Sequence, residues 1–288
     1  MDSFLDRIDR SPILAQFIPL TLTVVVMAVL IAILHGSLLL FNTLPVSQRI
    51  VMNLRWYDIV IGATIYLKTS IDFAIFMGRM MAANPGWRNR VAIEIGTAAG
   101  NAIGTIAIIG LWVLLKDISI LLALMVFIAS LVLFELAHSS LEHFVSWQAE
   151  GGIKRMAFLG LHNLLDGVKK LIDPILVRVM PDLGAKMRGR ADLPWAGLLS
   201  FAVTVPFILG LDDFAGYVPL FNVVNVYGFA VGVIGAHTLL NIALFLSPAR
   251  TIRAVQNEVV SFLGALAFIG LGVYGLIETG KILIQLVR

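Results

Sequence analysis

The chain has 288 residues, of which 59% are hydrophobic and 14% charged, with a mean hydropathy of +0.94 and a net charge of +3. Soluble domains carry about 25% charged residues, and one globule of this length has too little interior for so much apolar surface, so lipid must cover the rest. The absence of cysteine excludes disulfides, thiolate metal sites and dithiol redox chemistry, and a charge of +3 gives no case for nucleic acid.

Met1–Pro12 carries charges of both signs, and the apolar run after it is too long for a cleavable signal, so none is expected. Spanning the hydrocarbon takes about 20 apolar residues as a helix. Seven stretches qualify: Ile13–Phe41, Tyr57–Met81, Val91–Leu115, Ile118–Ser140, Trp195–Tyr217, Val223–Phe245 and Val259–Leu286. The expected fold is an all-α integral membrane bundle of about seven transmembrane helices. It divides into an N-terminal segment with the first helix (1–56), a first three-helix unit (57–140), a connector (141–194) and a second three-helix unit (195–288).

Basic residues set the expected orientation. Fifteen lie on the N-terminal side of the spans, among them Arg7, Arg10, Arg79, Arg88, Arg90, Arg250, Arg253 and eight in the connector, against five on the other side. This places the chain in a cell's inner (plasma) membrane with the N-terminus cytoplasmic and the C-terminus external. Within the connector, Met156, Leu159, Leu161, Leu164, Leu165, Val168, Leu171, Ile172 and Ile175 recur at roughly helical spacing, interleaved with Lys169 and Lys170. Two readings fit: an amphipathic helix on the inner membrane surface, or a cytoplasmic helical hairpin packed on the bundle.

The two units resemble each other. The second span contains Ser70-Ile71-Asp72-Phe73-Ala74 and the fifth Leu211-Asp212-Asp213-Phe214-Ala215. Aligning Asp72 with Asp213 also brings the following spans into correspondence: the third reads Gly96-x3-Gly100-Asn101-x2-Gly104 and the sixth Gly228-x3-Gly232-x2-Gly235-Ala236-His237. Three spans per unit turn the second unit upside down, giving an inverted repeat with a site near the midplane. Pro206 and Gly210, just before the Asp pair, are the kind of interruption that opens backbone groups to a ligand. The Gly-x3-Gly spacing is read as close helix packing.

Charges inside the hydrocarbon are expensive and mark function. Asp72 has Lys68 one turn earlier as a charge partner, whereas Asp213 has only Asp212 beside it. Asp72 and Asp213 are the expected site carboxylates, with Asp212 as a further ligand or a cap. Asn101, His237 and Asn241 complete the set, the last two sharing a helix face at i, i+4. Oxygen-rich sites suit hard divalent cations. At the end of the fourth span, Glu135, His138 and Glu142 share a face, and Glu-x2-His is a bundle metal-site spacing. A solvated helix end is the plainer reading there. Glu94 and Glu278 are read as helix-end groups that snorkel or cap.

Ser70-Ile71-Asp72 followed by Arg88-x-Arg90-Val91 and Gly96 is similar to the first half of the TerC (tellurium-resistance) family of the LysE superfamily. Phe207-x3-Leu211-Asp212-Asp213-x2-Gly216-x-Val218-Pro219 and Tyr227-Gly228-Phe229-Ala230 resemble its second half. This chain departs from that pattern at Phe73, at Gly235-Ala236-His237 and at Lys68. The resemblance implies paired three-helix halves and export of manganese- or calcium-like ions in exchange for protons. The alternative, from other branches of the superfamily, is export of a small organic solute such as a cationic amino acid. No enzyme motif is present, so an enzyme is not expected. No tightly bound cofactor is expected either, only a transported divalent cation. Lipid, that cation and protons are the expected partners, and a homo-oligomer is left open.

Overall fold

The structure, a computed structural model, describes residues 11–46, 48–141, 153–179, 194–215, 217–222, 224–255 and 257–287, and among these there is no strand. Side chains of some helical residues, including Asp72 and residues 208–215, also lie outside the described set. The helices are α1 (Pro12–Phe41), α2 (Trp56–Thr69), α3 (Ile71–Ala83), α4 (Trp87–Leu115), α5 (Ser119–Leu141), α6 (Ile153–Val179), α7 (Trp195–Ala215), α8 (Val226–Leu246), α9 (Pro248–Val255) and α10 (Glu258–Val287), with a 3-10 turn at Val218–Asn222.

Five helices among the described residues are long and apolar enough to cross a membrane: Ile13–Phe41, Trp87–Leu115, Ser119–Leu141, Val226–Leu246 and Ser261–Leu286. Large apolar side chains stay exposed along them, such as Val24, Val25, Val29 and Ile33 on α1 and Leu263, Leu266, Val273 and Ile277 on α10. Exposed faces this apolar are the surfaces a bilayer covers. The architecture is that of a helical, multi-pass membrane protein.

The expected continuous span over Tyr57–Met81 is corrected. Trp56–Thr69 and Phe73–Ala83 pass the same test together but are bent by 68°, the geometry of a broken span or of a re-entrant loop. The joint is Ser70, which ends α2 and precedes α3. The Thr69 hydroxyl donates back to the Tyr66 carbonyl at 3.0 Å and meets the Tyr217 hydroxyl at 2.6 Å. After the second piece, the chain turns into α4 at Gly86, whose φ of +101° suits glycine alone. The short helix α9, between α8 and α10, packs on α3 and α8. Of the fifth expected span, Trp195–Phe207 forms a shorter apolar helix within α7.

Small residues decide which helices touch. α4 lies along α7, α8 along α2, and α10 along α5. In the first pair, a Cβ on Gly100 would stand 2.2 Å from the Val203 carbonyl oxygen and 3.3 Å from the Phe207 nitrogen. In the second, a Cβ on Gly232 would stand 2.1 Å from the Ile59 carbonyl oxygen and 3.0 Å from the Ala63 nitrogen. One turn earlier, Gly96 faces Leu199 and Ala202 as Gly228 faces Arg55 and Asp58. At the third contact, Gly275 of α10 leaves room for the Ser130 hydroxyl of α5. These approaches are the backbone-to-backbone packing that membrane helices use where no hydrophobic effect holds them together.

α1 closes one side of α4 and α8. The connector helix α6 packs on α5 through buried Phe158, Leu165 and Ile172, while Met156, Leu164 and Leu171 remain exposed on its other side. The remainder of the connector, 142–152 and 180–193, lies outside the described residues.

Candidate functional site

Two faces of α4 do different work. Gly96 and Gly100 face α7, whereas Glu94, Thr97, Asn101 and Thr105 recur at helical spacing as a buried polar stripe. On α8 the glycines Gly228 and Gly232 face α2, while His237 and Asn241 sit on another face and are also buried. Where these stripes meet the end of α2, a hydrogen-bonded core forms.

His237 is 1% exposed and stands at its centre. Asn241 Nδ2 donates to His237 Nε2 at 3.1 Å and to Thr97 Oγ1 at 3.2 Å. With Nε2 accepting, the imidazole carries its hydrogen on Nδ1 and donates to Tyr66 Oη at 2.5 Å. The Phe73 ring, just past the break between α2 and α3, lies 5.3 Å from the imidazole, centroid to centroid. His237 is the twelfth of 21 residues in α8, so the core sits about halfway through that helix.

Several polar atoms on these helices are buried with no hydrogen-bond partner among the described residues: Asn101 Nδ2, Asn241 Oδ1, Ser70 Oγ and Glu94 Oε1. Each such group costs about 1–3 kcal/mol if it stays unsatisfied. They lie on α4 (Glu94, Asn101), on α8 (Asn241) and at the joint between α2 and α3 (Ser70). Glu94 is the clearest departure from the sequence expectation. It neither snorkels nor caps: it is 2% exposed, and its Oε2 is hydrogen-bonded to Thr23 of α1.

The structure thus brings together His237 and Asn241 with Thr97; Asn101 is buried one turn further along α4. Asp72, Asp212 and Asp213 lie on helical backbone, but their side chains are outside the described residues, as is Glu142 entirely. The expected pairing of Lys68 with Asp72 therefore falls outside as well; the Lys68 stem lies against Gly264 of α10. Tyr66 and Thr97 are the members that sequence reasoning missed. Removing the Tyr66 hydroxyl with Tyr66→Phe leaves Nδ1 of a buried imidazole unpaired. A loss of about 1–2 kcal/mol in unfolding free energy is expected, measured by denaturation in detergent beside wild type.

A second polar group joins the end of α5 to α6. His138 Nε2 donates to Asp166 Oδ1 at 2.8 Å, and His162 Nδ1 lies 3.3 Å from Asp166 Oδ2. The hydrogen bond from His138 holds the Asp166 carboxyl below its ordinary value. Glu135, expected beside His138 as a ligand, instead accepts from Lys169 at 2.7 Å.

A third polar region lies at one end of the bundle, where a pocket of about 240 Å³ is lined by Arg49, Arg55, Trp112, Lys116 and Asn225. Two of its cations are engaged. Arg55 donates to the fully buried Asp58 at 2.7 Å, and Lys116 lies over the Trp112 ring and donates to the Gln48 carbonyl. Burial holds Lys116 below the ordinary lysine value. Asn225 ties this end down: its Oδ1 caps α8, its Nδ2 donates to the Val51 and Asn53 carbonyls, and its backbone N–H donates to Asp58. His237 lies twelve residues beyond Asn225 along α8, about 18 Å away, so this pocket is not the polar core.

Compared with protein-family models, curated proteins and solved structures, the chain shows no match.

Proposed function

We propose that this chain is a secondary transporter built from two inverted three-helix halves, moving a manganese- or calcium-like divalent cation in exchange for protons. The observation that carries this reading is the crosswise repetition of helix contacts around a buried polar core. The second helix of each half (α4, α8) packs on the first helix of the other (α7, α2), and the third helices, α5 and α10, pack on each other.

The repetition extends to atoms. Gly96 and Gly100 stand to Leu199, Ala202, Val203 and Phe207 as Gly228 and Gly232 stand to Arg55, Asp58, Ile59 and Ala63. A constant displacement of 132 residues relates the glycines, and 144 relates their partners. A two-fold relation between halves produces this pattern, and transporters of that plan bind substrate where the halves meet, beside broken helices. The break at Ser70, next to the core, fits the same plan.

The choice of a divalent cation rests on the residue types. Asn241 Oδ1 and Glu94 Oε1 are buried oxygens without partners among the described residues, and Asp72 and Asp213 sit on the first helix of each half. Oxygen donors of this kind suit hard cations. In the same fold an organic cation would need a larger, aromatic-lined cavity.

The test is flux into proteoliposomes of the purified protein, with a metal-sensitive and a pH-sensitive dye inside. Manganese or calcium gradients should drive opposed proton movement. Flux of a cationic amino acid with no ion flux would replace this reading by the organic-solute one.

A further inference from the structure

We propose that His138, His162 and Asp166 form a binding site for a zinc-class divalent transition cation, clamping the connector helix α6 to the end of α5. The site is separate from the polar core and independent of the transport reading, because a protein that carries no metal across a membrane can still bind one here.

The geometry carries the inference. One ligand atom from each of the three residues lies within 4.8 Å of the others. A tetrahedral centre with bonds of about 2.0–2.1 Å separates its ligand atoms by about 3.3 Å. Both imidazoles already lie against the Asp166 carboxylate, His138 Nε2 2.8 Å from Oδ1 and His162 Nδ1 3.3 Å from Oδ2, so small side-chain shifts reach that spacing. The donors are also preorganised. His138 is 8% exposed on α5, and the His162 ring is held between the rings of His138 and Phe158, at centroid distances of 5.5 and 5.4 Å. His162 and Asp166 are four residues apart on α6, so both reach the same side of that helix.

The donor set selects the ion. Two imidazoles and one carboxylate suit zinc and its neighbours, and fit calcium or magnesium poorly, because those prefer all-oxygen shells. Three protein ligands leave the fourth position to water, on the side where His162 and Asp166 are partly exposed. Glu135 lies outside this three-residue cluster, and its Oε1 is in an ion pair with Lys169.

The experiment uses the full chain, purified in detergent and stripped with a chelator. Zinc is titrated calorimetrically, and melting temperature without metal serves as the check on folding. Wild type should bind one tight equivalent at this site. His162→Ala and Asp166→Asn, both partly exposed positions, should melt like wild type without metal and lose that equivalent, with affinity down about 100-fold or more. Glu135→Gln should keep it. Binding by folded His162→Ala equal to wild type overturns the proposal, as does a wild-type protein that takes up no zinc. Loss in Glu135→Gln with retention in His162→Ala would move the site to the helix-end set Glu135 and His138, and would also overturn it.

Discussion

Gly232→Ala should destabilise the protein by about 3 kcal/mol, at the upper end of what an added methyl costs in a packed interior. The new Cβ would stand 2.1 Å from the Ile59 carbonyl oxygen and 2.9 Å from its carbon. Both are backbone atoms inside α2, so no rotamer change relieves the overlap and the two helices must separate. Gly100→Ala should cost a similar amount, since it meets the Val203 carbonyl of α7 in the same way. The internal control is Gly235→Ala, three residues from Gly232. Nothing lies within 4 Å of its Cβ, and alanine gains about 1 kcal/mol of helix propensity over glycine. Chemical denaturation in one detergent compares all three. Equal stability for the variants at 232 and 235 would mean that α2 and α8 do not approach this closely. A large difference between the costs at 100 and 232 would remove the equivalence of the two crossings.

Those crossings show which parts of the fold were legible. The Gly-x3-Gly runs could be read as packing faces because their spacing is local. Which helix each would touch is a tertiary fact, and neither glycine run names α7 or α2. The break at Ser70 was hidden because the apolar run continues through it, and only the Thr69 hydroxyl and the approach of Tyr217 mark the joint.

In the polar core, the face shared by His237 and Asn241 was legible at four-residue spacing. Tyr66 and Thr97 reach it from other helices. One available signal went unused: Glu94, Thr97, Asn101 and Thr105 repeat at three- and four-residue steps, which draws a polar stripe along one side of an apolar helix. His138 was recognised as a metal-ligand type from Glu135-x2-His138. Its partners His162 and Asp166 come from the connector, at no spacing a motif could encode, and the nearby Glu135 is taken by Lys169.

Asp72→Asn and Asp213→Asn should each reduce transport by about 100-fold or more while leaving melting temperature close to wild type. The two residues sit on the first helix of each proposed half, where an ionised side chain within the hydrocarbon costs about 2.5–3.5 kcal/mol to insert. On the proposed function, a carboxylate placed at that cost in both halves is expected to serve a ligand, and asparagine removes its charge at nearly constant volume. The packing displacement of 144 residues sets Asp213 opposite Thr69, leaving Asp72 three residues further on, beyond the bend at Ser70. That corresponds to about 4.5 Å along a helix, a gap that the 68° change of direction alters. The two carboxylates are therefore expected to act at one cation, or at successive positions on its path, and not as strict two-fold mates. Asp212→Asn should do less harm, because adjacent positions on a helix are about 100° apart and only one of the two can face the proposed site. Proteoliposome flux and unfolding curves for the three variants decide the matter. Normal flux from Asp72→Asn would make that carboxylate a structural partner of Lys68, and the two-carboxylate mechanism would fall.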